Sequence, residues 1–466
     1  MSVNQSVTKV TQQTKLNTTI MKNLFKLTVL LFTSFVFSQA GHIMQGVGAF
    51  NMSMGGASTA QPLDVSGALQ WNPASIATFD SKILNVDAGL FFSSPELTST
   101  FGPFTGTTKD FRGTSILPSL AMVWGKEDSK HTFGVSAFGI SGFGVTFPEN
   151  NNYPQDLQGN PNPSFNPNDV VNPINFPQFA GGFGHIESDY MLLQVGFTWA
   201  YEISEKFSIG IEPTFNFAAL ELAPNPLASP GMLGYPASDK ATALGVGAQV
   251  GVFYDSGSGL KLGASYKTTQ HFGDFKFNNT YLLDGSAAPD VDFNMDYPAI
   301  FSLGVGYSTD MFDLAFDFRN VDYENTDGFS EKGWTQTYSV KGFGWKNINI
   351  LSAGFQFKGI KKLPLRIGYT YSSNPIDEEL AFFSIPATAI IKNAYQAGFG
   401  YEVSENLTIN GTYHYGGSDG KTEGTMLNPQ AIAPSNPYGA IPGTNVGYQM
   451  TTDYVVVGIS YKFTKK

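Results

Sequence analysis

The sequence of 466 residues contains no cysteine and few charged residues, and no long apolar run follows its start. Without cysteine the chain has no disulfide bonds and no thiolate metal ligands. Charged residues make up 14% of the chain, below the roughly 25% of soluble domains. After the start, no run approaches the roughly 18 apolar residues of a membrane-spanning helix. A net charge of −11 disfavours nucleic acid as a partner, because phosphates require a basic surface.

The sequence is instead rich in aromatic residues and glycine, with 40 Phe, 21 Tyr and 51 Gly. In the C-terminal stretch TDYVVVGISYKFTKK, Val455, Val457 and Ile459 share one face, and residues of the other face alternate with them. The stretches at 312–320 and 363–373 repeat this alternation, with aromatic residues near the strand ends. Apolar outward faces with aromatic girdles are typical of transmembrane β-barrels.

Strand-like segments number 14, and bacterial barrels have an even number of strands. The segments lie near 82–94, 110–125, 130–147, 187–203, 206–222, 242–255, 260–276, 298–309, 312–325, 346–358, 363–373, 391–403, 406–416 and 452–464. Short turns alternate with long loops at 95–109, 148–186, 223–241, 277–297, 326–345, 374–390 and 417–451. This asymmetry predicts an antiparallel barrel with long outer loops. A soluble β-sandwich is the alternative, but it rarely keeps such alternation over so many strands.

Three segments precede the predicted barrel domain at 81–466. Residues 21–40 have a basic start, an apolar stretch and a small-residue exit, which predict a secretory signal peptide. Residues 1–20 form an upstream extension, and a translation start at Met21 is the alternative to a start at Met1. Residues 41–80 are rich in small residues and too short for a core of their own. Because a 14-stranded barrel encloses a lumen, we expect them to fill it as a small N-terminal plug, or hatch.

The plug segment, residues 41–80, carries a motif on which a family resemblance rests. The motif consists of Asn72, Pro73 and Ala74. Pro73 fixes φ, so Asn72 takes an extended or turn conformation. With the Ser-Ile-Pro stretch at 384–386 and the strand count, this pattern resembles the FadL/TodX family of outer-membrane transporters, whose Gly/Ala-rich plug carries an Asn-Pro-Ala motif. The Asn/Pro-rich loop at 148–180 departs from the family pattern.

The resemblance implies a channel in the outer membrane of a Gram-negative bacterium for long-chain fatty acids or aromatic hydrocarbons. Ligand would be captured among the outer loops, enter an apolar lumen pocket, shift the plug and leave laterally at a kink in the third strand. The third strand contains Gly134, Gly139, Gly142 and Gly144. Glycines weaken strand pairing and permit a kink, although they could equally accommodate bulky neighbours across the lumen.

Candidate ligand contacts follow from the predicted faces. The carboxylate of an amphiphile would bind inward cations, for which the candidates are Arg319, Arg366 and Lys267, with Arg112 less well placed. The alternative is a lumen charge network that includes Asp317, Glu202, Glu212 and Glu402. Apolar residues in two outer loops are expected to capture the ligand, because exposed apolar patches often mark binding sites. These residues are Phe179, Phe183, Leu220, Leu222, Leu227, Met232 and Leu233.

Enzymatic functions are disfavoured by the motifs. The five histidines show no metal-ligand spacing, no GxSxG elbow is present, and His414, Ser418 and Asp419 are merely close in sequence. We expect no catalysis, cofactor or metal. The expected partners are a hydrophobic small molecule, outer-membrane lipids or lipopolysaccharide, and the outer-membrane assembly machinery, with the chain acting as a monomer. The alternatives are an adhesion barrel, a receptor for a haem-like ligand and a general porin, which the plug would block.

Overall fold

The computed structural model describes residues 41–125, 129–232 and 234–464. The predicted upstream extension and signal peptide therefore lie outside the described residues, as do the turn residues 126–128 and Leu233. Among the residues described, no helix has the length and apolar character needed to cross a membrane.

Fourteen antiparallel strands form a closed barrel. In chain order the strands of the described residues are β1 (Lys82–Phe101), β2 (Phe104–Lys109), β3 (Ser115–Trp124), β4 (His131–Phe147), β5 (Ile186–Ser204), β6 (Phe207–Ala223), β7 (Pro236–Ser238), β8 (Ala241–Asp255), β9 (Leu260–Lys267), β10 (His271–Phe272), β11 (Phe275–Tyr281), β12 (Ala287–Phe293), β13 (Ala299–Ser308), β14 (Phe312–Asp322), β15 (Ile348–Phe357), β16 (Leu365–Ser372), β17 (Asn393–Ser404), β18 (Leu407–Gly417), β19 (Thr422–Gly424) and β20 (Asn445–Lys462). The short strands β2, β7, β10, β11, β12 and β19 belong to the long connections at one end, which we call the loop end. The opposite end is the turn end. This architecture confirms the predicted fold class.

Period-two alternation in the sequence determines which side chains face outward. On β20, Val455, Val457 and Ile459 are 42–55% exposed, whereas Tyr454 and Val456, which belong to the other face, are buried. The barrel closes where β1 pairs with β20, from Ile83↔Lys462 to Thr100↔Asn445. Each barrel strand therefore presents one apolar outward face and one inward face.

Several strand boundaries differ from the predicted ones, mainly at the loop end. Residues 95–109 were predicted to be a loop, but β1 and β2 pair there as a hairpin. β20 begins within the predicted loop at 417–451. A small sheet joins β7, in the predicted loop at 223–241, to β11 and β12, which lie mostly in the predicted loop at 277–297. The strand predicted at 260–276 ends earlier, at Lys267. Where strands project beyond the apolar band, their outward residues are polar, as Glu96 and Thr98 are on β1, so they lack the apolar outward face on which the prediction depends.

The plug segment lies inside the barrel and folds into two short helices and a 3₁₀ helix. These are α1 (Gly48–Ser53), α2 (Val65–Trp71) and the 3₁₀ helix Pro73–Thr78. The Asp64 carboxylate caps α2 by accepting the backbone N–H groups of Ser66 and Gly67. Asn72 is extended, with φ −156° and ψ 102°, as its position before proline predicts.

Inward glycines of the wall allow the plug segment to approach the strand backbone closely. A Cβ atom at Gly263 would lie 2.1 Å from the carbonyl oxygen of Thr59, and one at Gly368 would lie 2.2 Å from the Gly55 nitrogen. Each contact involves backbone atoms of the plug, which cannot turn aside as a side chain can. Glycine at these wall positions therefore makes room for the plug.

Candidate functional site

Two adjoining apolar cavities open among the loops at the loop end. The first has a volume of about 40 Å³ and is lined by residues that include Phe183, Tyr235, Trp334, Phe382, Phe383 and Ile385. The second has a volume of about 20 Å³ and is lined by residues that include Leu220, Leu222, Leu227, Phe293, Phe343 and Pro386. Both cavities share Pro226, Val340, Phe383 and Pro386. The Ser-Ile-Pro stretch noted in the sequence therefore contributes to their walls.

The structure places the predicted capture residues in different surroundings. Phe183, Leu220, Leu222 and Leu227 line the two cavities. Phe179 instead packs its ring against Tyr153, with the ring centroids 5.5 Å apart. Met232 is 99% exposed, and Leu233 lies outside the described residues. Four of the seven candidates thus meet at one apolar surface.

A wider concavity lies elsewhere, on the outward face of the wall. Its volume is about 720 Å³, and Leu262, Leu303, Phe316 and Leu351 contribute to its lining. These four side chains are 42–52% exposed and belong to the outward apolar face. This concavity is mainly a part of the outer surface.

His42, near the start of the plug segment, is surrounded by five aromatic rings that the sequence analysis did not identify. We call these five rings the aromatic box, and they belong to Tyr190, Tyr297, Tyr323, Phe329 and Trp345. Their centroids lie 4.6–6.1 Å from the imidazole centroid. His42 itself is 0% exposed. Burial lowers the pKa of His42 to about 3, so the imidazole is neutral at pH 7.

The hydrogen bonds inside the aromatic box are incomplete. The Tyr323 hydroxyl accepts the backbone N–H of His42 at 3.2 Å, and its oxygen lies 2.7 Å from His42 Nδ1. His42 Nε2 and the hydroxyls of Tyr190 and Tyr297 are buried without a hydrogen-bond partner. The box therefore has unused hydrogen-bonding capacity in an aromatic surrounding.

Phe343 connects the aromatic box to the loop-end cavities. Its ring lines the second cavity and lies 5.4 Å from the ring of Trp345 and 5.5 Å from that of Phe329. Phe143 on β4 lies 5.9 Å from Phe343 and 4.9 Å from Tyr190. A continuous path of aromatic rings therefore runs from the cavities to His42.

The third barrel strand, β4, is paired incompletely. β3 pairs with β4 only from Ser119↔Phe138 to Trp124↔Phe133, although β4 continues to Phe147. On its other edge β4 pairs with β5, with a register shift between Gly139 and Ser141. The part of β4 beyond Phe138 thus has one edge that β3 does not cover, and we call this the uncovered edge.

Residues 42–44 of the plug segment occupy the uncovered edge. The backbone N–H of Met44 donates to the carbonyl oxygen of Ile140 at 3.0 Å, and the N–H of Gly142 donates to that of His42 at 3.3 Å. The Ser141 hydroxyl donates to the same His42 carbonyl at 2.7 Å. The segment that carries His42 therefore also fills the break in the wall.

The four glycines predicted for this strand have separate roles in the structure. Gly139 flanks the register shift, and Gly142 donates to the plug segment. A Cβ atom at Gly134 would lie 2.5 Å from the Leu69 side chain. One at Gly144 would overlap the guanidinium of Arg112. Two of the glycines thus belong to the break, and two make room for neighbouring side chains.

Arg112 binds to β5 at the point where the uncovered edge of β4 ends, towards the loop end. Its guanidinium donates to the Ser188 carbonyl on β5 and forms an ion pair of 2.7 Å with Asp189. Beside it, the Phe111 N–H donates to the Thr146 carbonyl at 2.9 Å. Arg112 is therefore an anchor of the wall and is engaged with an acidic partner.

Arg319, the first predicted lumen cation, faces inward and contacts the plug segment. Its guanidinium carbon lies 3.6 Å from the centroid of the Trp71 ring. Its Nη2 donates to the Gly56 carbonyl at 2.7 Å and to Asp317 at 2.6 Å. The Asp317 carboxylate also accepts the backbone N–H groups of Ser58 and Thr59. Arg319 and Asp317 together bind the plug to β14.

The other two predicted cations also face inward and have partners. The Arg366 guanidinium lies 3.5 Å from the ring centroid of Phe50 in α1 and donates to Gln356 and Asn410. Lys267 donates to Gln194 at 2.8 Å, and Glu212 is its charged neighbour. Of the predicted network acids, Asp317 and Glu212 are buried, Glu202 is half-buried and Glu402 is exposed.

The residues considered for catalysis are not assembled into a catalytic group. His414 Nδ1 lies 3.0 Å from Gln396 Nε2 inside the barrel, whereas the Ser418 hydroxyl donates to Gly420 in an exposed loop. Within the described ranges, no three His, Cys, Asp or Glu side chains are grouped as metal ligands.

Comparisons with known proteins agree with this architecture. Residues 175–464 match the family model described as outer membrane protein transport protein (OMPP1/FadL/TodX). The fold is similar to the toluene transporter TodX of P. putida, with a TM-score of 0.65 and 18% identity over 91% of this chain and 100% of that chain. A FadL homologue of Pseudomonas aeruginosa has a TM-score of 0.65 and 14% identity over 91% and 100%.

A further similar structure is the Ralstonia pickettii toluene transporter TbuX, with a TM-score of 0.59 and 16% identity over 90% of this chain and 99% of that chain. No curated protein sequence matches the chain. Because the family model covers more than half of the sequence, the chain belongs to the OMPP1/FadL/TodX family of outer membrane transport proteins.

Proposed function

We propose that the chain is a passive, ligand-gated channel for hydrophobic small molecules. A compound enters the loop-end cavities, moves along the aromatic path to the aromatic box and leaves through the uncovered edge of β4. The similar proteins TodX and TbuX are toluene transporters and CymD is a monoaromatic hydrocarbon channel, which supports transport of such compounds by this chain. The channel works as a monomer among outer-membrane lipids after insertion by the assembly machinery.

One observation carries this proposal: in the short segment of residues 42–44, the ring of His42 lies in the aromatic box while the backbone bonds to the uncovered edge. A compound that enters the box competes for space with the His42 ring. Withdrawal of this ring moves the attached backbone away from Ser141, which frees the edge of β4. Binding in the lumen and opening of the wall are thereby coupled through a single short segment.

The proposed roles of the buried cations follow from the same arrangement. Arg319 and Arg366 stack on plug rings and donate to fixed acceptors, so they hold the plug in its closed position. The Asn72 amide joins the Thr59 carbonyl to the Val252 carbonyl of β8, at 2.8 and 3.0 Å. These contacts keep the rest of the plug in place while its first residues move.

A disulfide bond between residues 43 and 141 tests the coupling. Ile43 and Ser141 form an antiparallel bridge flanked by two hydrogen bonds. Such pairs have Cα atoms about 4.5 Å apart, within the range that disulfides span. The double variant Ile43→Cys/Ser141→Cys introduces the only thiols of the chain. We expect oxidation to stop uptake of labelled toluene by whole cells, with labelled oleate measured in parallel, and reduction to restore it.

The matched control is Thr98→Cys/Thr107→Cys, which crosslinks the β1–β2 hairpin away from the plug. This variant should transport equally well oxidised and reduced. Undiminished uptake through the oxidised 43–141 variant would show that the segment is not a gate. Ion conductance without uptake of either compound would identify a porin, and wild-type cells that bind surfaces without uptake would favour an adhesion barrel.

A further inference from the structure

The imidazole of His42 occupies the aromatic box as a small planar ring with polar edges. Five aromatic rings surround it, and its Nδ1 contacts the Tyr323 hydroxyl at 2.7 Å. Because this hydroxyl accepts the His42 backbone N–H, its own proton is available to Nδ1. The ring proton then resides on Nε2, which has no partner. The box is thus shaped for a flat, uncharged ring that carries a hydrogen-bonding group.

Two further polar atoms in the box are buried and unpaired, the hydroxyl oxygens of Tyr190 and Tyr297. Both side chains are 0% exposed, and their ring centroids lie 6.1 and 5.7 Å from that of His42. Native proteins pair nearly all buried polar groups, because an unpaired one loses its hydrogen bonds to water without replacement. A purely hydrocarbon ligand would leave both hydroxyls unpaired, whereas a hydroxyl-bearing ligand would pair with at least one of them.

The charges near the box disfavour an anionic ligand. Among the described residues no Lys or Arg lines either loop-end cavity or belongs to the box. Arg319 has one unpaired atom, Nε, but Asp317 balances its charge and Trp71 covers its plane. A carboxylate in the box would therefore be buried without a counter-ion, which is strongly unfavourable.

We infer that the aromatic box is a substrate site for neutral monocyclic aromatic compounds with a hydroxyl group, and that such a compound displaces the His42 ring. The hydroxyl of the compound replaces the imidazole as the partner of Tyr323 and reaches Tyr190 or Tyr297. This inference rests on the proposed function and specifies the substrate class of that same site. It predicts that the aromatic box binds phenols more tightly than plain hydrocarbons or fatty acids.

Three compounds that share a ring and a methyl group test the inference: toluene, p-cresol and p-toluate. Their affinities are measured by calorimetry on the full chain in lipid nanodiscs. We expect p-cresol to bind about fivefold or more tighter than toluene, the effect of one net hydrogen bond, and p-toluate to bind more weakly than either. The double variant Tyr190→Phe/Tyr297→Phe should reduce the preference for p-cresol, which then has Tyr323 as its one remaining hydroxyl partner in the box, while it leaves toluene binding within about twofold.

The matched control is Tyr454→Phe, which changes a buried inward tyrosine that packs against Phe91. It should keep the preference of the wild type. His42→Ala should tighten binding of both toluene and p-cresol, because the ring that competes for the box is gone. Weaker binding of p-cresol to this variant would refute displacement.

The outcomes distinguish this inference from the proposed function. If toluene is bound and transported but p-cresol binds no tighter, or if p-toluate binds as well as p-cresol, the inferred substrate class is wrong. The proposed function as a channel for hydrophobic compounds is then upheld. If the wild type neither binds nor transports any hydrophobic compound, the proposed function fails, and the inference fails with it.

Discussion

Asp317 is the acid whose removal should release the plug segment most strongly. Its carboxylate oxygen Oδ2 accepts the backbone N–H of Ser58 at 2.8 Å, the N–H and the hydroxyl of Thr59 at 2.9 and 2.8 Å, and Arg319 at 2.6 Å. The side chain is 4% exposed, so water cannot replace these bonds in the docked state. The substitution Asp317→Ala removes four hydrogen bonds and leaves the Arg319 charge unpaired.

The magnitude follows from the loss of a buried ion pair. Removing one partner of such a pair costs about 3–5 kcal/mol, chiefly because the other charge stays buried. When the plug leaves its site, Arg319 gains access to water, so most of this cost acts on the equilibrium between the docked and released plug. With a factor of ten for every ~1.4 kcal/mol, the released fraction should rise by roughly 10²–10³.

A single thiol in the plug reports this fraction, because the natural chain contains no cysteine. Ser58→Cys is nearly isosteric, and Ser58 is 2% exposed. The thiol reacts with a membrane-impermeant maleimide when the plug is released, so the labelling rate follows the released fraction. In the Asp317→Ala background this rate should rise by roughly 10²–10³. Heat-modified mobility on gels should confirm that the barrel remains assembled.

The matched control is Asp313→Ala on the same strand. Asp313 is an inward acid that is 2% exposed, but it bonds Gln356 and Lys358 of the wall and makes no hydrogen bond to the plug. Its loss should leave the labelling rate within a fewfold of wild type. Equal rates for wild type and Asp317→Ala would refute the view that this ion pair holds the plug.

Two other perturbations probe the ends of the plug. Asn72→Ala should destabilise the docked plug by about 1 kcal/mol, since the Asn72 side chain caps the 3₁₀ helix and joins Thr59 to β8. Pro73→Ala should have a smaller effect, and both variants should assemble normally and transport toluene at altered rates. Failed assembly of either variant would make the motif a folding element. Lower pH should open the channel, because the pKa of His42 is about 3 in the box and ~6.5 in water. Its contribution to docking is complete above pH ~6.5 and declines as pH falls towards 3, so toluene uptake should be faster at pH 5 than at pH 7, and His42→Phe should remove that difference. Uptake by wild type that does not respond to pH would exclude His42 from gating.

The barrel wall could be predicted from the sequence because strand periodicity is a local property. Alternation alone places Arg319, Arg366 and Lys267 on the inward face, and the structure buries all three. Their partners could not be predicted, because they depend on the path of the plug through the lumen. Arg319 meets Trp71, and Arg366 meets Phe50, across more than two hundred residues of sequence. Periodicity contains no information about such contacts.

At the loop end, strand periodicity did not predict the structure. Thr98 and Thr107 pair across the β1–β2 hairpin through their hydroxyls, at 2.8 Å, and neither has the apolar face that identifies a wall strand. Residues that form the cavities come from connections far apart in sequence, such as Phe183 and Phe382, whose rings lie 5.6 Å apart. Their apolar character was visible in the sequence, but their meeting depends on how the loops fold over the barrel.

His42, on which the proposed gating depends, could not be found by a search for sequence motifs. Its sequence neighbours form no metal or catalytic motif, and its aromatic partners lie on β5 and in connections between strands that are far apart in sequence. What identifies it is a combination of three-dimensional facts: complete burial, an unpaired Nε2, and backbone hydrogen bonds that its neighbours make to the uncovered edge of β4. The break in the wall and the contents of the lumen are therefore one structural unit, and a mutation in the box should be assayed for its effect on both.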